Sequence, residues 1–184
     1  MISYSSLSPL KTERLLLRKL ERSDLDSAAL IHGDPATNIY NPTGPRSRET
    51  TRTLLDAWAG AWECQHFGYW TVCPIDDPDQ VLGFGGVMRK QIGDFSGLNM
   101  YFRFAAHTWG KGYATEMARA ALHAAFVILQ EDAVYGLVRP GNAASRRTLE
   151  KIGMQLWSDV DDVPGEAASL IYRITQDEYL HRKS

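Results

Sequence analysis

The segment Trp109-Gly110-Lys111-Gly112-Tyr113-Ala114-Thr115 has the residue types and spacing to hold a phosphate. It joins an aromatic-rich run, 98–104, to a stretch in which Met117, Ala118, Ala121, Leu122, Ala125, Phe126 and Leu129 repeat at three and four residues, so it reads as a strand turning into a long helix. Such a turn gathers unpaired backbone N–H groups in front of the positive end of a helix dipole, which is a site for an anion. Glycine allows the backbone to approach phosphate closely and to take positive φ. Lys111 adds charge. The pattern is neither the Walker GxxxxGK[ST] nor a dinucleotide fingerprint, since the third glycine and the downstream acid are missing. Alone, the segment fits a glycine turn used only for its geometry equally well.

The elements that must position this loop follow from the rest of the pattern. Residues 14–20 read as a first strand, and Ser23 with Asp24 and Asp26 opens a helix to Ile31, stopped by Gly33-Asp34-Pro35. A second helix, from Ser47 to about Glu63, carries Leu54, Leu55, Trp58 and Trp62. Strands follow at 69–73 and 81–88, the second weakened by Gly83, Gly85 and Gly86. Beyond the long helix come a strand at 133–138, a helix at 143–151 ended by Gly153, and strands at 155–160 and 169–174 joined by a turn at 161–166. Residues 1–11 and 175–184 read as tails around a 12–174 core, all of it one domain.

Composition narrows the partners. The chain has 184 residues, 44% hydrophobic, and a formal net charge of −2 with no dense Lys/Arg run, which argues against nucleic acid. Cys64 and Cys73 form no CxxC and the histidines do not cluster, so no disulfide framework and no metal site is expected. The N-terminus lacks the basic and apolar regions of a signal peptide and no apolar run is long enough to span a bilayer, so a soluble cytoplasmic protein is expected, with no membrane partner. A homodimer is left open.

Three segments resemble the GNAT acetyltransferases. Residues 109–116, followed by the amphipathic helix, resemble that family's pyrophosphate-binding motif. Asn142-Ala143-Ala144-Ser145, running on to Lys151-Ile152-Gly153, resembles its next motif, and Thr12-Glu13-Arg14-Leu15-Leu16-Leu17-Arg18 is similar to the opening strand of the RimJ/RimL-type branch. The resemblance implies an α+β, three-layer fold: a mixed, mostly antiparallel sheet of six to seven strands flanked by about four helices, with its central strands splayed. It implies acetyl-coenzyme A as donor, with Phe104, Ala105 and Ala106 offering backbone to the pantetheine. Trp109, Gly110, Lys111, Gly112, Tyr113, Ala114 and Thr115 would hold the pyrophosphate, and Asn142 and Ser145 would sit near the thioester. Arg146 or Lys151 would be the group for a 3′-phosphate, or a solvated helix charge.

The implied reaction is direct acetyl transfer to a primary amine, a protein N-terminus or a small molecule, in a ternary complex. It needs a base for the amine proton and an acid for the thiolate. Many family members carry a glutamate in the strand before the loop and a tyrosine in the helix after the next strand. Here Asn99 and Leu149 stand at those places, and neither side chain can take the role. Ser145 is the substitute that the resemblance suggests, against the reading of a serine bonded within its own helix. The titratable residues in segments able to face the acceptor are His107, His66, Asp162 and Glu166, with His107 nearest the loop. Water is the remaining proton acceptor. The acceptor groove is expected between the first two helices, the turn at 41–45 and the loop between the last strands, while Trp58, Trp62 and Trp70 are weighed between groove and core. A rival reading is a degenerate domain that binds coenzyme A as a sensor or interaction module.

Overall fold

A computed structural model of the chain describes residues 7–181. Eight strands form one sheet in the order β1-β2-β3-β4-β5-β6-β8-β7. They are β1 (Leu10–Lys11), β2 (Leu15–Lys19), β3 (Tyr69–Pro74), β4 (Gly83–Ile92), β5 (Phe95–Phe104), β6 (Ala133–Val138), β7 (Gln155–Val160) and β8 (Ser169–Thr175). The helices are α1 (Leu25–Gly33), α2 (Arg48–Gln65), α3 (Tyr113–His123), α4 (Ala143–Lys151) and α5 (Gln176–His181). Among the described residues no helix is long and apolar enough to cross a membrane, and no group of three or more His, Cys, Asp or Glu could hold a metal ion.

The sheet separates two helical layers. On β4, Phe84 meets Trp58 of α2, whereas its neighbour Gly85 lies under Met117 of α3, and successive strand residues point to opposite faces. A Cβ at Gly85 would come within 2.5 Å of Met117 Cε and 2.7 Å of the Tyr101 carbonyl. The glycine read as a weakness of the strand is what lets α3 close on the sheet. Trp58, Trp62 and Trp70 are all buried, at 5%, 5% and 2% exposure, which resolves them as core.

The ordered structure runs past the expected 12–174 core at both ends. Leu10–Lys11 pair with β2 and Leu7 is buried, a strand too short to show an alternating pattern. The expected C-terminal tail folds as α5, started by a capping box in which the Glu178 carboxylate accepts from the Thr175 N–H and hydroxyl at 2.8 and 3.0 Å. Tyr179 then packs on Phe126, 5.0 Å between ring centroids. Thr175-Gln176-Asp177-Glu178 was a readable signal for it.

β4 and β5 also extend beyond their expected limits, meeting at Ile92 and Phe95 across a two-residue turn in which Gly93 has φ 55°. The long helix expected through Leu129 is regular only to His123. It widens into a π-turn over Ala124–Ile128, with the Leu129 N–H donating to the Ala124 carbonyl at 2.9 Å.

One relationship in the sheet matters most for function. β5 and β6 are its parallel pair, and they are joined over three residue pairs, Leu98 with Val134, Asn99 with Tyr135 and Met100 with Gly136. Beyond these, β5 follows β4 to Phe104 while β6 follows β8 to Val138. The two strands therefore part and leave an opening in the middle of the sheet.

Candidate functional site

The 109–115 loop follows β5 by way of a 3-10 turn at Ala106–Thr108. Gly110 and Gly112 have φ of 76° and 81°, a region that costs residues with a Cβ of the order of 1 kcal/mol. No atom lies within 4 Å of the place where a Cβ would sit at Gly110. Gly112 is the N-cap of α3 and has no side chain to cap it, so the first N–H groups of the helix remain available to an anion. Both features suit the close approach of an anion.

The loop is clamped from the turn between β1 and β2. The Arg14 Nε donates to Glu116 Oε2 at 2.7 Å, its Nη1 donates to the Lys111 carbonyl at 2.9 Å, and its guanidinium stacks 4.9 Å from the centre of the Tyr113 ring. Glu116 Oε1 also accepts from the Thr12 hydroxyl at 2.6 Å and the Arg14 N–H at 2.8 Å. Burial would raise the pKa of Glu116, but the hydrogen bonds from Thr12 and Arg14 and the Arg14 charge outweigh it and hold the carboxyl below its ordinary value. Thr12 and Arg14 thereby tie the first strand to the loop.

The opening between β5 and β6 leads into a cavity of about 350 Å³, whose wall includes Tyr101, Arg103, Leu137, Asn142, Ser145 and Leu149. Thr37, Tyr40, Asn41 and Pro42 close it on one side and Asp162 and Val163 on another, whereas no residue of α1 or α2, expected to share in the acceptor groove, lines it. A second cavity, of about 440 Å³, adjoins it through Tyr40, Asn41, Pro42 and Arg139.

The backbone expected to meet a pantetheine is displaced. The Ala105 N–H donates to the Leu82 carbonyl at 2.9 Å, and its carbonyl accepts from both the N–H and the hydroxyl of Thr108. The Phe104 carbonyl accepts from the Trp109 indole N–H at 2.9 Å, and the Ala106 carbonyl from the Trp109 N–H at 3.2 Å. A tight turn thus consumes most of the groups at 104–106. Since Ala105 points to β4, alternation turns the N–H and C=O of Phe102, and the N–H of Phe104, towards the opening.

Asn142 and Ser145 both line the cavity. The Asn142 side chain caps α4, its Oδ1 accepting from the Ser145 N–H at 3.1 Å, and among the described residues the Ser145 hydroxyl has no hydrogen-bond partner. Thus Ser145 does not bond back to its helix. Arg146 is turned to the Tyr172 hydroxyl (3.2 Å) and the Pro140 carbonyl (3.3 Å), and Lys151 is exposed.

The titratable residues divide clearly. His107 is exposed in a 3-10 turn and lines neither cavity, and His66 closes α2 with φ 63°, so the structure brings neither to the groove. Asp162 and Glu166 do reach cavity walls, but the Arg139 guanidinium faces both, at 3.6 and 3.5 Å. Asn99 is buried and donates to the Tyr69 hydroxyl at 2.8 Å, and Leu149 is a buried wall residue.

Beneath the groove lies an aromatic cluster that the sequence did not reveal. His32 packs against Trp58 and Phe84, and Tyr101 against Trp58 and Tyr69, with centroids 5.0 to 6.0 Å apart. Neither His32 ring nitrogen has a hydrogen-bond partner among the described residues, and burial together with the charges of Arg103 and Arg46 lowers its pKa to about 3. Arg103 lines the cavity and donates to the neutral Asn38 Oδ1 at 2.5 Å. A charged residue next to the end of an aromatic central strand was the one available hint of it.

This open sheet places the chain among the acetyltransferases. Residues 14–155 match the family model described as an acetyltransferase (GNAT) domain. The Bacillus subtilis (strain 168) protein YkkB is 34% identical over 151 residues, covering 79% of this chain and 84% of its own, and the N-acetyltransferase p20 of Bacillus licheniformis is 26% identical over 161, covering 81% and 83%. A GNAT-family acetyltransferase structure from Bacillus anthracis superimposes with a TM-score of 0.76 at 25% identity, over 91% of this chain and 98% of that one. The chain belongs to the GNAT acetyltransferase family and is an acyltransferase, of a family that generally uses acetyl-coenzyme A. Asn99 and Leu149 had suggested a binding module, which these relatives do not support.

Proposed function

We propose that the protein is an acetyl-coenzyme A-dependent N-acetyltransferase that modifies a primary amine by direct attack in a ternary complex. The observation that carries this reading is the uncapped, glycine-bearing start of α3 beside the opening between β5 and β6. Acetyl-coenzyme A supplies the acetyl group: the amine nitrogen bonds to the thioester carbonyl carbon as the C–S bond breaks, the amine loses a proton and coenzyme A leaves as the thiol.

The chain's own residues bind and orient. The N–H groups from Gly110 to Thr115 hold the pyrophosphate, that of Trp109 being spent on the Ala106 carbonyl, with Gly110 and Gly112 allowing close approach and Lys111 adding charge. Phe102 and Phe104 offer backbone groups to the pantetheine, and Asn142 holds α4 in register so that the Ser145 hydroxyl faces the cavity, free to donate to the sulfur or the carbonyl oxygen. With Asn99 and Leu149 at the usual places for base and acid, and both cavity acids facing Arg139, the amine proton passes to water. Positioning two reactants in this way can lower a barrier by several kcal/mol.

The Arg14 and Thr12 clamp on Glu116 supports placing the chain in the RimJ/RimL-type branch. Thiol release from acetyl-coenzyme A over a panel of amines tests the reading, together with melting curves. Acetyl-coenzyme A should raise the melting temperature while ATP and NAD leave it unchanged. Binding without turnover on any amine would overturn the assignment of activity.

A further inference from the structure

The acceptor side of the cavity carries positive charge that the protein does not neutralise. Arg103 lines it, and among the described residues neither Arg103 nor Arg46 makes an ion pair. The hydrogen-bond partner of Arg103 is the Asn38 carbonyl oxygen, and Asn38 is buried and uncharged, held in turn by its own bonds to the His32 and Asp34 carbonyls at 2.9 and 2.8 Å. The guanidinium is therefore oriented by a rigid neutral group. Its other polar neighbour, the Tyr101 hydroxyl, is neutral as well, so the protein supplies it no counter-charge.

The surroundings agree on the sign. His32 is forced neutral next to these two arginines, and Lys90 also borders the cavity. The acids on the rim, Asp162 and Glu166, already face Arg139. A polyamine in this cavity would meet an uncompensated guanidinium at Arg103, while the rim carboxylates already share the charge of Arg139. An unpaired guanidinium that is half-buried and held in place gains most from a planar or tetrahedral oxyanion, which it binds through two parallel hydrogen bonds.

Resting on the acetyltransferase reading above, we propose that the acceptor is a small amine that also carries a carboxylate or a phosphate, and that this anionic group docks on Arg103. Arg103 is then a specificity-determining residue: it sets which amines enter, while the reaction itself takes place at the thioester near Ser145.

The test compares matched amines in the thiol-release assay with the full-length protein: an α-amino acid against its amide, glucosamine 6-phosphate against glucosamine, and spermidine. At least one anionic amine should exceed its uncharged counterpart by about tenfold or more in kcat/KM, the size expected of a charged hydrogen bond. The carboxylate and phosphate arms tell which anion is used. In Arg103→Gln the ratio should fall to near one with the KM for acetyl-coenzyme A unchanged, and Arg103→Lys should keep part of it. Equal or better turnover of the amide, the free sugar or spermidine by the wild-type protein overturns the inference, as does a ratio that survives in Arg103→Gln. Should no amine react, the activity assignment fails separately, and melting curves of the coenzyme A-loaded protein decide this point. Stabilisation by an anionic amine that is lost in Arg103→Gln upholds it, and no stabilisation by any of them overturns it.

Discussion

Glu116, in the first turn of α3, receives the guanidinium of Arg14, in the bend that leads into β2, at 2.7 Å, across 102 residues of sequence. The pair connects the edge of the sheet to the phosphate loop, because the same guanidinium reaches the Lys111 carbonyl. Arg14→Ala or Glu116→Gln should therefore raise the KM for acetyl-coenzyme A by about tenfold, while lowering stability by only about 1 kcal/mol, since Arg14 is largely solvated. Steady-state kinetics with varied acetyl-coenzyme A and a denaturant melt separate the two effects. An unchanged KM would show that the clamp does not shape the loop.

Gly112 tests the loop directly. Its φ of 81° is strained for any side chain, and a Cβ there would approach the Arg14 Nη2 at 3.4 Å. Gly112→Val should cost about 1–2 kcal/mol of stability and weaken coenzyme A binding much more, by at least roughly tenfold, because the N–H groups are re-aimed. Calorimetric titration with coenzyme A measures the second effect.

Ser145 and His107 should behave in opposite ways. Ser145→Ala removes the one unpartnered hydroxyl of α4 that faces the cavity and should reduce kcat by about tenfold with the KM for acetyl-coenzyme A unchanged. His107→Ala, on an exposed turn outside both cavities, should leave kcat and its pH profile as they were. Near-total loss of turnover in His107→Ala would mean that positioning and water do not suffice.

The acid limb of stability should report His32. Its folded pKa, about 3, lies below the ordinary value of 6.5, so the unfolded chain takes up the proton first. Its contribution is complete above pH 6.5 and is lost progressively as the pH falls towards 3, by about 1.4 kcal/mol per pH unit. Glu116 and Asp24, whose pKa values are lowered, add to the loss only at more acidic pH, below the ordinary carboxylate range. His32→Leu should flatten the slope between pH 6.5 and 4.5 in denaturant melts at a series of pH values, and leave the steeper carboxylate limb intact.

Much of the fold was legible because it is written in short-range preferences. The strands at 69–74, 133–138, 155–160 and 169–175 and the helices at 48–65 and 143–151 appear within a few residues of their expected limits. What was misjudged lay at the ends and in turns. β1 is too short to carry a pattern, α5 has a polar surface that resembles a tail, and β4 and β5 run on through exposed residues to Gly93-Asp94.

By itself the sequence determined the backbone of the 109–115 loop, since positive φ at Gly110 and Gly112 and an uncapped helix start are local properties. It also determined that Asn99 and Leu149 cannot serve as base and acid. Only the tertiary structure decided that Arg14 reaches Glu116, that Ala105 spends its backbone groups on Leu82 and Thr108, and that Arg103 lines the cavity without a counter-ion. The reason is physical: backbone conformation is governed by neighbours a few residues away, whereas a charge is paired or left unpaired by groups that packing brings from distant parts of the chain.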